Sequence, residues 1–245
     1  MARKYRAFLS FPDSLKVGDF LELGDEESMH LARVLRIEKG HEIEILNGLG
    51  LIAQGKCIQV FHRVVKVEVL SFETIPVVSP KVQLGIAMPK GGKWDDLLRP
   101  LTELGVHRIT PLLTERTEVR AGVDKFEAKR KKWARQLAEG CKQSGNPWLP
   151  YLDLPVRFKD FVQKAKSNNE HMWMASLSPS TEELTFSPGH QGITLLIGPE
   201  GGWTKEEEEG FKSLGGKLFS LGPYALRVEN AAISALAVAR HAYLS

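Results

Sequence analysis

The run Ile193-Thr194-Leu195-Leu196-Ile197 passes straight into Gly198-Pro199-Glu200-Gly201-Gly202, and this junction constrains the fold more than any other segment. Its apolar residues do not alternate with polar ones, so both faces of the strand must be covered. Parallel strands with helices on both sides of the sheet meet that condition. A glycine-rich turn at the strand's end exposes backbone N–H and C=O groups at the carboxyl edge, where ligands of open α/β sheets bind. Without a Cβ, glycine lets the backbone approach a ligand closely. Thr204 and Glu207 form a capping box for the helix that follows, and the run Glu206–Glu209 is assigned to that helix N-terminus, not to catalysis.

A second junction comes one helix later. Leu218–Leu221 reads as a short strand, and Gly222-Pro223-Tyr224-Ala225-Leu226-Arg227 leads into a final helix over Glu229–Leu244. That helix carries Ala231, Ala232, Ala235, Ala237 and Ala239 with Ile233, Leu236 and Val238 between them. Apolar nearly all round, it should be buried inside the domain or against a second subunit. Upstream, strands over Val82–Ala87, Ile109–Leu113 and Met172–Leu177 alternate with helices over Trp94–Leu104 and Asp124–Gln143. The rhythm is that of an α/β domain with a mostly parallel sheet.

The first seventy residues differ. In His41–Leu46, Ile43 and Ile45 face one way and Glu42 and Glu44 the other; Val65, Val67 and Val69 alternate with Lys66 and Glu68. Asn47-Gly48 reads as a hairpin turn, and Glu26–Leu35 as one short helix. A compact β-barrel fits this pattern. The segment 74–80 has two prolines and no charge, which gives a barrel over 1–73, a linker over 74–80 and an α/β domain over 81–245.

Several function classes are excluded. There is no GxxxxGK[ST] phosphate loop, no GxGxxG after an early strand and no HExxH or histidine cluster for a metal. Cys57 and Cys141 lie far apart without ligand spacing, so neither a disulfide framework nor a zinc site is expected. No apolar stretch follows the opening Met-Ala-Arg-Lys-Tyr-Arg, and no segment is long enough to span a bilayer, so a cytoplasmic protein without membrane attachment is expected. Net charge is +3, yet residues 81–145 hold 14 Lys and Arg against 8 Asp and Glu. Their densest point, Lys129–Arg135, is read first as a solvated helix face and second as a stripe attractive to nucleic acid.

Taken in order, these segments resemble the RsmE family of ribosomal RNA methyltransferases, in the knotted SPOUT class. The resemblance rests on His30–Arg36, Thr102–Val106, Ile109–Leu112, Glu115-Arg116 and Gln143-Ser144-Gly145, and above all on Leu195–Gly202 with Leu221-Gly222-Pro223 and Leu226-Arg227. Differences from the family pattern fall at Tyr224, Val228, Asn230, Lys142 and Asn146, and at Pro100.

The resemblance implies an N-terminal PUA-like barrel and a C-terminal α/β trefoil-knot domain. It implies S-adenosylmethionine as cofactor, held by Leu177, Ile197, Gly198, Pro199, Glu200, Gly201, Gly202, Leu221, Gly222, Pro223 and Leu226. The implied reaction is methylation of N3 of one uridine in 16S ribosomal RNA within the small subunit, by a homodimer. Arg227 is then the cation that stabilises an anionic uracil, and Glu229 the candidate base. Arg3, Lys4, Arg6, Arg33, Arg36, Lys93 and Arg116 are the expected RNA contacts. Two alternatives stand beside it: a ribosome assembly factor that keeps the fold and binds RNA with little or no activity, and an unrelated small-molecule α/β enzyme using the same glycine-rich edge.

Overall fold

The structure is a computed structural model that describes residues 4–12, 14–89, 93–117, 123–178, 180–185 and 192–244. The chain divides into two compact units, 1–77 together with 138–149, and 78–137 together with 150–245.

The first unit contains β1 (Arg6–Phe8), β2 (Phe20–Leu23), α1 (Asp25–Met29), β3 (Glu42–Leu46), β4 (Leu51–Val60) and β5 (Val65–Thr74). Among the described residues these strands form one sheet, ordered β1-β3-β4-β5-β2 and antiparallel except where β1 runs beside β3. Ile43, Ile45, Val65, Val67 and Val69 point into one core with Leu21, Leu23 and Leu31, as their alternation requires. Register shifts at Gln54/Gly55 and Cys57/Gln59 in β4 are the irregularities by which a sheet acquires extra twist and curl. Because β1 and β2 are not paired with each other among the described residues, the barrel is open there.

Its hairpin turn is longer than Asn47-Gly48 alone. Asn47 Oδ1 accepts hydrogen bonds from the backbone N–H of Leu49 (2.8 Å) and Leu51 (2.9 Å), while Gly48 and Gly50 take φ of 80° and 97°. The single helix expected over Glu26–Leu35 is two pieces. α1 ends at Met29, and His30–Leu35 winds as a wider π turn in which Leu31 is the buried residue. Glu44 also departs from the simple alternation: it is only 8% exposed. Lys4 (2.7 Å), Arg6 (2.8 Å) and Gln54 (3.3 Å) donate to its carboxylate and make that burial tolerable.

The second unit contains β6 (Lys81–Ala87), α2 (Trp94–Glu103), β7 (Arg108–Leu113), most of α3 (Val123–Ser144), β8 (Tyr151–Leu152), β9 (Val156–Arg157), α4 (Phe158–Ser167), β10 (His171–Ala175), β11 (Gly192–Ile197), α5 (Lys205–Ser213), β12 (Lys217–Phe219) and α6 (Val228–Leu244). Its described strands form one wholly parallel sheet, ordered β12-β10-β11-β6-β7-β8, with β9 also beside β7. Every residue of β11 is buried, and the strand lies between β10 and β6 in the middle of the sheet. That is the position its unbroken apolar run demands. On α6 the buried residues Val228, Ala232, Ala235, Leu236 and Ala239 recur at helical spacing, and the helix packs on α2, β6 and β11.

Candidate active site at the carboxyl edge of the parallel sheet

The two glycine-proline junctions meet around one cavity of about 510 Å³. It lies at the carboxyl ends of β10 and β11 and is closed by the loop 198–204, the loop 220–227 and the first turn of α6. Its volume is in the range that holds a nucleotide-sized ligand.

Packing and hydrogen bonds fix the first loop from several sides. Gly202 takes φ of 69°, and its N–H donates to the Pro199 carbonyl at 2.8 Å. The Trp203 indole N–H donates to the Ala175 carbonyl at the end of β10 (3.0 Å). The same ring lies so close to Gly198 that a Cβ there would stand 3.0 Å from it. Thr204 caps α5 by accepting from the N–H of Glu207 (3.1 Å), and Glu207 Oε2 accepts from the N–H of Thr204 (2.9 Å). The other oxygen of Glu207 accepts from the N–H of Glu115 (3.1 Å). In the second loop Gly222 takes φ of 130°, and Ser220 Oγ accepts from its N–H (3.1 Å).

Leu177, Ile197, Gly198, Pro199, Glu200, Gly201, Gly202, Leu221, Gly222 and Leu226 all line this cavity; Pro223 does not. The lining also includes residues that sequence reading did not single out, among them Ser176, Trp203, Lys205 and Ala231. Glu208, assigned above to helix stability alone, is a lining residue too and accepts a hydrogen bond from Ser176 Oγ (2.6 Å). The signal for it was geometric: a glutamate one residue past a capping box points back toward the preceding strand ends.

Arg227 and Glu229 stand beside the cavity without lining it. Arg227 is exposed between the lining residues Leu226 and Val228, and its guanidinium has no partner among the described residues. Glu229 is mostly buried at the start of α6, with Lys93 Nζ 3.4 Å from Oε1. The expected RNA contacts separate into groups. Arg33 and Arg36 are exposed, with side chains free of partners among the described residues. Lys4 and Arg6 are engaged by Glu44, and Arg6 also donates to the carbonyls of Lys142 (3.0 Å) and Gln143 (3.1 Å). Arg116 donates to the carbonyls of Gly201 (2.7 Å) and Trp203 (3.1 Å). Arg3 lies outside the described residues. Among the described residues no group of His, Cys, Asp and Glu could hold a metal ion, and no helix is long and apolar enough to cross a membrane.

A parallel sheet with a backbone-walled cavity at its carboxyl edge defines an α/β enzyme that holds its ligand largely through loop main chain and apolar side chains. The comparisons specify the class. Residues 77–240 match the RNA methyltransferase domain family, and residues 23–60 match the RNA methyltransferase PUA domain. Ribosomal RNA small subunit methyltransferase E of Synechocystis is 33% identical over 85% of this chain and 68% of its own length. The enzyme of the same name from Aquifex aeolicus is 29% identical over 90% of this chain and 94% of its own. Among solved structures, a Legionella pneumophila methyltransferase with bound SAM superposes with a TM-score of 0.86 at 32% identity, covering 98% of both chains. A ribosomal RNA small subunit methyltransferase E from Neisseria gonorrhoeae bound to S-adenosyl methionine gives 0.85 at 28% identity, again over 98% of both. The chain belongs to the ribosomal RNA small subunit methyltransferase E family.

Proposed function

We infer that this chain transfers a methyl group from S-adenosylmethionine to N3 of a uridine in 16S ribosomal RNA. The observation that carries this reading is the convergence of both glycine-proline loops on one cavity, in a chain alike over 98% of its length to structures holding that cofactor. The lining suits the molecule. Leu177, Ile197 and Leu226 offer apolar surface for adenine, the glycine loops offer main-chain groups for ribose and purine edges, and Glu200 and Glu208 offer negative charge to a sulfonium and an ammonium. Bound there, the cofactor supplies an electrophilic methyl group.

The chain's own residues then have three tasks. The loops fix the donor so that attack is in line, a positioning effect worth roughly 7–11 kcal/mol of barrier. Arg227 faces the negative charge that spreads over the uracil oxygens as N3 loses its proton, and Glu229 takes that proton. The open barrel and its free cations Arg33 and Arg36 bind the phosphate backbone, with the target base unpaired so that its N3 edge is accessible. A cytoplasmic homodimer with the trefoil-knot connection is part of the same reading. The knot is supported by the position of β11 between β10 and β6, and the dimer by the exposed stripe Asn230, Ala237 and Val238 on α6.

The test is methyl transfer from labelled cofactor to small ribosomal subunits of a strain lacking the gene, with mass analysis of the modified nucleoside. N3-methyluridine at a single site is expected. Binding to subunits without transfer would favour the assembly-factor alternative, and transfer to a different atom would reassign the target.

A further inference from the structure

The loop that walls the cavity is held by a residue outside the cavity. Arg116, three residues beyond the end of β7, directs one guanidinium nitrogen to the Gly201 carbonyl (2.7 Å) and to the Trp203 carbonyl (3.1 Å). Next to it, the backbone N–H of Glu115 donates to Glu207, the capping residue of the helix that the loop enters (3.1 Å). The segment 114–117 is itself a closed turn: the N–H of Thr117 donates to the Thr114 carbonyl (3.2 Å), and Thr117 Oγ1 accepts from the N–H of Thr114 (3.1 Å). A compact turn thus grips the loop 198–204 at two carbonyls and the helix it enters at Glu207, while Trp203 pins the loop to β10.

We propose that Arg116 is a positioning residue for the cofactor, acting through the loop main chain, and that it is not an RNA phosphate contact. The physical case rests on what the loop lacks. Gly201 and Gly202 have no side chains with which to pack, so the conformation that directs their main-chain groups into the cavity must be imposed from outside. A charged donor shared between two carbonyls supplies that constraint, since hydrogen bonds to ionised groups are stronger than neutral ones. Ordering the loop before the ligand arrives removes an entropic cost from binding. Arg116 is exposed and spends one guanidinium nitrogen on both carbonyls, an aim that contact with phosphate alone would not require.

The inference rests on the cofactor reading above for one of its readouts and is independent of it for another. Hydrogen–deuterium exchange of the ligand-free full chain compares wild type with Arg116→Ala and Arg116→Lys. Faster exchange confined to the amides of residues 200–203, by about tenfold or more in Arg116→Ala and by less in Arg116→Lys, is expected whatever ligand the cavity holds. Calorimetry with S-adenosylmethionine should show affinity about 3- to 10-fold weaker in Arg116→Ala, from the loss of a charge-assisted hydrogen bond. RNA binding in both variants should keep the wild-type salt slope. If wild type itself fails to bind S-adenosylmethionine, the functional reading fails while the exchange result still decides the role of Arg116. Unchanged loop exchange overturns the proposal. So does acceleration spread across the whole second unit, which marks a general stability role, or a salt slope reduced by about 1 with cofactor affinity intact, which marks a phosphate contact.

Discussion

Lys93 Nζ stands 3.4 Å from Oε1 of Glu229, while the other carboxylate oxygen, Oε2, is buried and accepts no hydrogen bond among the described residues. A buried acceptor without a donor is costly, and such groups cluster where a ligand completes the set. The lysine holds one oxygen, and in the role proposed for Glu229 the other is the one that would take the substrate proton. Glu229→Gln should therefore slow single-turnover methyl transfer by about 100-fold or more, the usual contribution of a positioned base. Cofactor affinity should stay within about twofold, because Glu229 does not line the cavity. If the variant instead loses only thermal stability, the residue serves the dipole of α6 and another group takes the proton.

Gly222 provides a separate test of the second loop. With φ of 130°, it occupies backbone space that other residues rarely enter, yet an added Cβ would meet no atom within 4 Å. The loss in Gly222→Ala therefore comes from the backbone and not from a clash. The loop should shift to relieve the strain and weaken S-adenosylmethionine binding about tenfold, corresponding to strain of one to two kcal/mol. Melting temperature should fall by only a few degrees. Calorimetry and a thermal melt on the same sample check both, and unchanged affinity would move the ligand away from this loop.

Much of this architecture is legible in the sequence because burial and periodicity coincide there. The mainly aliphatic, fully buried run of β11, the capping box at Thr204 and the small-residue spacing of α6 each leave a single local solution. What escaped reading was short or relational. β8 and β9 have two residues each, too few to show a period. α4 did carry a signal, with Phe158, Phe161, Val162 and Ala165 on one face, but it follows those fragments directly. Glu44 looked like an outward polar residue because alternation cannot reveal that Lys4, Arg6 and Gln54 converge on it. The carbonyl partners of Arg116 were hidden for the same reason: they lie 85 and 87 residues further along the chain.

RNA binding separates the cations of the first unit into two sets. Arg33 and Arg36 are exposed and unpartnered among the described residues, whereas Lys4 and Arg6 are already paired with Glu44. On a log–log plot of affinity against salt, Arg33→Ala with Arg36→Ala should reduce the slope by about 2, one for each phosphate released. Arg6→Ala should leave the slope nearly unchanged and lower thermal stability. A reversal of these two outcomes would assign the phosphate contacts to Lys4 and Arg6 instead.

The Glu44 cluster also sets a pH dependence. Burial raises the pKa of this carboxyl, but hydrogen bonds from Lys4, Arg6 and Gln54 outweigh burial and hold it below its ordinary value of 4.5. A depressed folded pKa stabilises the fold at pH values above the unfolded pKa, and the contribution is lost as pH falls through the folded one. The Tm difference between wild type and Glu44→Gln should be constant near neutrality and shrink steadily below about pH 4.5. A difference that persists at lower pH would show that the carboxyl's charge is not what the cluster uses.

The role proposed for Arg227 in the chemical step is open to a direct test. Its carbonyl accepts the N–H of Ala231 (2.8 Å) and so anchors the backbone in the first turn of α6, while its guanidinium is exposed and unpartnered among the described residues, between the lining residues Leu226 and Val228. A fixed backbone with a free cation suits a charge that develops only during reaction. As uracil loses its N3 proton, negative charge spreads onto O2 and O4, and a guanidinium beside them gains interaction energy along the reaction coordinate. An interaction made mainly in the transition state raises turnover more than it tightens binding. Removing one preorganised donor of this kind costs on the order of 100- to 1,000-fold in rate. Arg227→Ala should bind cofactor and RNA almost as wild type does and methylate slowly. Raising the pH should restore part of the rate, because a uracil already deprotonated by solvent no longer depends on the cation to reach its anionic form. Single-turnover transfer to small ribosomal subunits across a pH series separates the outcomes. A rate equal to wild type at every pH would remove Arg227 from the mechanism, and a loss of cofactor affinity in step with the rate would make it a residue of the binding loop.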